Sequence, residues 1–266
     1  MAIDVRRSLY TNDYYNYIGS DSLKKAKSKV LSKILKKAFA ADCKKRNAIA
    51  LDIGCGTGEL IYPLSRNCRY VYGLDYSENA LSFSKKYINQ FPDDIERKIC
   101  LLCADANQLP FKDNSLNYIF SVDVFEHLSE VELRNLVKEM YRILKENGRF
   151  IIFTSPNIEY VNIGYRYWIK PINIIFNPIS RLIFKKELMV VGRNSHDPTH
   201  INLHSVKSLQ QLFKNSGFKA YIYTQWLAPD NFIGYVYKII SQLWPITLFR
   251  PLRNLFCPFL WVEGRK

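Results

Sequence analysis

The sequence predicts an α/β fold, a doubly wound and mostly parallel sheet with helices on both faces. Three observations carry that prediction. Between residues 48 and 156 short apolar runs alternate with amphipathic segments. A turn with three glycines at alternate positions, "LDIGCGTGEL" (51–60), follows the first apolar run. Asp52, Asp75, Asp105 and Asp123 stand in or at the ends of successive runs.

The elements follow in chain order. "DSLKKAKSKVLSKILKKAF" (21–39) reads as a basic amphipathic helix. "AIALDIG", "YVYGLD", "ICLLCAD", "NYIFSVD" and "RFIIFTSP" read as buried strands. Between them, "TGELIYPLSRN", "SENALSFSKKYINQF" and "SEVELRNLVKEMYRILKEN" space their apolar residues as helices do. In the last of these Val131, Leu133, Leu136, Val137, Met140, Ile143 and Leu144 form one stripe. Ser77 reads as a helix start, and Ser129 with Glu132 fits a capping box. Asn147-Gly148 is expected to end the long helix. Residues 157–198 break the rhythm with prolines at 171, 178 and 198. "SVKSLQQLFKNSGFKAYIYTQW" resumes it with a helix, a stop at Gly217 and a strand. Residues 228–256 break it again, and "FLWVEGRK" suits a final strand. The expected organisation is therefore an N-terminal basic helical cap (1–47), a ligand-binding core (48–156), a lid insertion (157–203) and a C-terminal completion of the core (204–266). That last part contains a second apolar insertion at about 228–256.

The chain has 266 residues, 48% of them hydrophobic and 23% charged, enough for a sizeable core. Its formal net charge of +14 is uneven. Residues 1–50 hold 12 Lys and Arg against 4 Asp and Glu; residues 51–156 hold 12 against 15; residues 157–266 hold 14 against 5. All four tryptophans lie in the last part. Of the cysteines, Cys100 and Cys103 form a lone CxxC with no second pair, so reduced core thiols are expected rather than a metal knot. "MAIDVRRSLYTND" has no signal-like apolar region, and no apolar run has the length of a membrane span. A cytoplasmic protein, or one peripheral to a membrane, is the expectation.

The glycine turn fits neither common phosphate fingerprint. Gly54 and Gly56 match the first two glycines of GxGxxG, but Glu59 stands where the third would fall, and no Lys-Ser/Thr pair follows. Residues 50–65 contain no Lys or Arg, while Asp52 and Glu59 bracket the turn. That suits a ligand bearing positive charge. Asp75 lies 21 residues after Gly54, where a carboxylate reaches both hydroxyls of a ribose. Asp105 is placed to accept from an adenine amino group. A strand-end Asp is often a helix cap; several at successive strand ends mark the ligand edge of an open sheet.

Taken together, "LDIGCGTG", "GLDYSENAL", "ADANQLPF", "SVDVFEHL" and "LKENGRFIIFTSPN" resemble, in order and spacing, the class I S-adenosylmethionine-dependent methyltransferases of the small-molecule type, whose fold is Rossmann-like. The resemblance covers residues 48–156, and "HSVKSLQQLFKNSGF" extends it. It implies S-adenosyl-L-methionine as cofactor. It implies that Asp52, Gly54, Gly56 and Gly58 hold the methionine end, Asp75 and Tyr76 the ribose, and Asp105 and Ala106 the adenine. Val122 and Asp123 would line the fourth strand end, and Tyr14 (or Tyr15) would cover the outer face. The sequence departs from the family at Leu116-Asn117, where Phe-Asp is common, and at Asn147-Gly148, where Gly-Gly is usual; the first affects a strand-start hydrogen bond.

Methyl transfer needs alignment and, for an oxygen or carbon nucleophile, proton removal. His127 in "FEHL" is the first candidate base and His200 the second. His196, His200 and His204 recur at four-residue spacing, but Pro198 opposes one helix, so no metal site is expected. Residues 160–186 and 231–261 lack any Asp or Glu and mix aromatics, aliphatics, Lys and Arg. They are expected to form a lid over a small, lipophilic or lipid-linked acceptor. An anionic membrane surface is a second partner for them, and nucleic acid a third. RNA or protein methylation by the basic flanks, and a catalytically silent cofactor-binding scaffold or partner subunit, are the rival functions.

Overall fold

The computed structural model describes residues 21–39, 47–171, 199–225 and 257–266, with isolated positions 174, 178, 181, 182, 254 and 255. The readings of Tyr14, Tyr15 and His196, and most of the 228–256 insertion, lie outside the described residues.

The described chain opens with helix α1 (Asp21–Phe39). Strand β1 (Ile49–Ile53) and helix α2 (Ile61–Ser65) come next, then β2 (Tyr70–Asp75) with α3 (Glu78–Ile88) and α4 (Asp93–Glu96). Strands β3 (Ile99–Cys103) and β4 (Leu116–Val122) precede a 3-10 turn (Phe125–His127), helix α5 (Glu130–Ile143) and β5 (Leu144–Thr154). A π-helix (Tyr160–Ile169), α6 (Val206–Lys214), β6 (Lys219–Thr224) and β7 (Leu260–Arg265) complete it. The seven strands run in the order β3-β2-β1-β4-β5-β7-β6. All pairs are parallel except those of β7, which runs antiparallel to both β5 and β6. The order reverses between β1 and β4, which is where an open sheet leaves a crevice.

The strand period of two assigns the two faces. Leu51, Ile53, Phe150 and Ile152 pack beneath α5 and α6, with Leu136, Met140, Ile143 and Phe213. Ala50, Ile151, Phe153 and Trp261 pack beneath α1 and α2, with Ile34, Ile61 and Leu64. Asp52 falls on the second face, opposite α1. That helix is clamped by charge as well: Lys37 bonds Glu263 at 2.6 Å, Arg149 donates to the Ala38 and Lys37 carbonyls, and the Lys33 ammonium stands 4.6 Å over the Trp261 ring.

Four local expectations are corrected. Helix α5 ends at Ile143 rather than at Asn147-Gly148, because Leu144 already pairs with Leu116 as strand; Asn147 takes the left-handed turn, at φ 62°, four residues later. Val131 is 59% exposed, so the α5 stripe begins at Leu133. Residues 57–60 are turn, leaving α2 a short helix. Cys100 and Cys103 are exposed rather than core, because β3 is the sheet edge; they are free thiols. The Ser129–Glu132 capping box and the Ser77 cap both form. Asn117 Oδ1 accepts from the Ile49 N–H at 3.0 Å, so the departure from Asp at that position keeps the strand-start bond.

Candidate functional site

The crevice is built on the β1–α2 turn. Both Gly54 and Cys55 donate to the Leu74 carbonyl, which folds the chain back over β2. Gly54, Gly56 and Gly58 have φ of +68°, +54° and +87°. A Cβ on Gly54 would stand 2.3 Å from Val124 Cγ2, and one on Gly58 would stand 2.4 Å from Ser84 Oγ. A Cβ on Gly56 would meet nothing within 4 Å. Gly54 and Gly58 are thus glycines for packing, whereas Gly56 faces open space.

Asp75 is buried and braces this turn, its carboxylate accepting from the Gly56 N–H and the Ser77 N–H, both at 2.9 Å. Each carboxylate oxygen keeps a further lone pair for a ligand hydroxyl. Tyr76 beside it is 37% exposed. Asp105 is exposed at the end of β3, where one oxygen accepts from the backbone and side-chain amides of Asn107. Ala106 lies half-buried next to it. Two residues outside the motifs hold this loop: Glu139 accepts from the Leu109 N–H, and Arg142 donates to the Leu109 and Phe111 carbonyls. At the fourth strand end Val122 is buried, and Asp123, at φ 53°, accepts from Ser155 Oγ at 3.2 Å.

One feature was invisible in the motif itself. The turn contains no cation, but α1 brings one: Lys27 Nζ bonds Glu59 at 3.2 Å and faces Asp52 and Asp123. Burial opposes the Lys27 ammonium, yet these carboxylates outweigh it and raise its pKa. Asp52 is 3% exposed. Burial, with Glu59 and Asp75 against the relief from Lys27, pushes its carboxyl up to about 8. The folded protein therefore holds a proton on Asp52 that the unfolded chain releases near its ordinary pKa. That contribution is complete at acid pH and is lost as pH rises through about 8. Stability, and with it the melting temperature, is therefore expected to fall as pH rises from about 4 toward 8 and to level off above that. Asp52→Asn should flatten that slope, as a thermal melt series in matched buffers would read; an unchanged slope would contradict the assignment.

The candidate bases come together. His127, in the 3-10 turn, lies with its ring centroid 4.9 Å from that of His200, at 61°. The segment 199–204 is stitched to residues 125–128. The Ile201 and Asn202 N–H groups donate to the Glu126 carbonyl, Asn202 Nδ2 donates to the Leu128 carbonyl, and His204 Nε2 bonds the Phe125 carbonyl at 3.2 Å. His204 is buried in that role, and burial lowers its pKa. His127 Nδ1 bonds the Thr199 carbonyl at 3.0 Å. Sequence reasoning passed over Glu126, which is 1% exposed beside both rings. The only signal was a charged residue inside an otherwise apolar "VFEHL".

A family profile described as a methyltransferase domain matches residues 51–152. The chain is similar to the demethylmenaquinone methyltransferase of Lactobacillus johnsonii, 26% identical over 200 residues that cover 71% of this chain and 75% of that protein. It is also similar to the protein of the same name from Oceanobacillus iheyensis, 28% identical over 195 residues, covering 68% and 76%. Among solved structures, the geranyl diphosphate C-methyltransferase of Streptomyces coelicolor, in complex with Mg2+, geranyl diphosphate and S-adenosyl-L-homocysteine, has the same fold. The TM-score is 0.58 and the identity 16%, over 90% of this chain and 79% of that one.

Proposed function

We propose that the chain, which is a class I S-adenosylmethionine-dependent methyltransferase, methylates an oxygen or carbon of a small lipophilic or lipid-linked acceptor. The observation that carries the acceptor class is the segment after β5. Residues 160–186 contain no Asp or Glu, and Tyr167, Ile174 and Leu182 expose 63%, 66% and 85% of their surface there. The relatives' name, which specifies a demethylated menaquinone, supports the same class.

The described residues suit the cofactor. A Cβ on Gly56 would enter open space, and the Gly56 N–H is bonded to buried Asp75, so the turn leaves room that a side chain would fill. In this reading Gly54, Gly56 and Gly58 bring backbone close to the methionine end, and Asp52 and Glu59 face its ammonium, whose positive charge draws the proton from Asp52. Asp75 and Tyr76 hold the ribose, Asp105 and Ala106 the adenine, and Val122 with Asp123 the fourth wall. The cofactor supplies an electrophilic methyl group on a sulfonium. His127 and His200 stand at the acceptor's side, where they orient it and take its proton. Asp75→Ala is expected to weaken cofactor binding by ~1–3 kcal/mol, the scale of lost charge-assisted hydrogen bonds. Calorimetry would read this, and an unchanged affinity would remove Asp75 from the site.

The acceptor is tested by incubating the protein with methyl-labelled cofactor and either demethylmenaquinone in detergent or total RNA. Label extracted with the lipid supports the reading. Label retained on RNA alone overturns it in favour of nucleic acid. The same basic, aromatic surface supports peripheral contact with an anionic membrane from the cytoplasmic side. Among the described residues no helix is long and apolar enough to cross one. Lys and Arg near such a surface each add about 1 kcal/mol. Flotation with anionic liposomes should therefore carry the protein in a salt-sensitive way and weaken in the Trp244→Ala, Arg250→Ala double variant. Flotation with neither anionic nor neutral liposomes would refute the contact.

A further inference from the structure

Glu126, His127 and His200 each offer a ligand atom, and these atoms lie within 4.8 Å of one another. Three details go beyond proximity. Glu126 is 1% exposed, with Oε2 accepting from Thr154 Oγ1 at 2.7 Å and Oε1 buried with no hydrogen-bond partner among the described residues. A buried carboxylate oxygen without a donor calls for a proton or a cation. His127 bonds the Thr199 carbonyl through Nδ1, which puts the proton on that nitrogen and leaves the Nε2 lone pair facing away from it. This is the outer support that a metal-bound imidazole ordinarily has, and Thr154 gives the carboxylate the same support. The third ligand is brought by the 199–204 segment, which the Glu126 carbonyl itself anchors.

From this we propose that Glu126, His127 and His200 form a divalent transition-metal site at the carboxyl end of β4. Two imidazoles and one carboxylate favour zinc, cobalt, iron or manganese over calcium or magnesium. Ligand bonds of ~2.1 Å place two donors at most about 4.2 Å apart, so small side-chain rotations must draw the set together. Three protein ligands leave coordination positions open. With a cation bound, His127 and His200 serve as its ligands rather than as bases, and the open positions would take an oxygen of the acceptor and favour loss of its proton to solvent. That role rests on the methyltransferase reading; the site itself does not. Asp123, at the same strand end, stands against Glu126 and adds a further carboxyl group beside the set.

The test is a titration of the EDTA-treated full chain with cobalt(II), read by its visible ligand-field absorption, followed by competition with zinc. One equivalent should bind and be displaced by zinc. His127→Ala and His200→Ala should each weaken binding at least about tenfold, and Thr154→Val by about 10–100-fold through the outer support. Each variant is checked for binding of S-adenosyl-L-homocysteine, which requires the folded sheet; His127→Gln and His200→Asn replace any alanine variant that fails this check. Absence of the absorption band in the wild type, or its persistence in the His127, His200 double variant, overturns the metal site. A wild-type chain that binds S-adenosyl-L-homocysteine but no cobalt sinks this proposal alone. The reverse pattern, metal bound but no cofactor product bound, sinks the methyltransferase reading and leaves the metal.

Discussion

Gly56→Ala is expected to abolish cofactor binding at concentrations that saturate the wild type, a loss of at least ~100-fold, while the protein stays folded. Alanine at φ +54° costs about 1–2 kcal/mol of backbone strain. Nothing within 4 Å opposes the new methyl, so the fold absorbs it. The space it enters is the space a ligand would use. Gly54→Ala should behave differently. Its methyl would lie 2.3 Å from Val124 Cγ2, and Val124 sits in the turn that carries Asp123, Glu126 and His127. That variant should lose stability as well as affinity. Adding Val124→Ala should restore part of the stability, because it removes the clash and leaves only the strain. Paired melting curves and calorimetry separate the two glycines. Equal loss of stability in both variants would contradict the distinction between a packing glycine and a ligand-facing one.

Replacing His127 should lower turnover by ~10²–10⁴-fold and spare cofactor binding, the scale of a lost general base or of a lost acceptor-orienting group. His200→Ala should fall in the same range, since the two rings stand 4.9 Å apart. His204→Ala gives the contrast. Its ring is buried against Phe125 and bonds the Phe125 carbonyl, so its loss should lower the melting temperature before it lowers turnover in the surviving fold. Single-turnover measurements with saturating cofactor would read the difference. Near-full turnover in both the His127 and the His200 variants would leave alignment alone to drive the reaction.

Local rules made much of the fold legible. The Ser129–Glu132 capping box, the three left-handed glycines and the period-two runs each encode their geometry within a few residues. The gathering of carboxylates along one sheet edge was legible for the same reason: strand ends in such a sheet need only the alternation to be aligned. What the sequence did not disclose depends on strand order or on distant contacts. Cys100 and Cys103 look like core residues until β3 proves to be the outermost strand. Lys27 reaches Glu59 only because α1 lies across the β1 turn, so a motif without cations became a site with one. Leu144 continues a helical stripe in sequence, but pairing with Leu116 claims its backbone for the sheet. Glu126 and His200 meet through a loop hydrogen-bonded back onto the 3-10 turn, which no spacing rule anticipates.

The central claim is that the carboxyl ends of β1, β2, β3 and β4 form one S-adenosylmethionine site. It is tested most directly by calorimetric titration of the full chain with S-adenosyl-L-homocysteine, alongside Gly56→Ala and Asp75→Ala. The account predicts a single saturable site in the wild type, weakened by ~1–3 kcal/mol in Asp75→Ala and absent in Gly56→Ala. A folded wild-type chain that shows no binding, or binding that both variants leave unchanged, would contradict it.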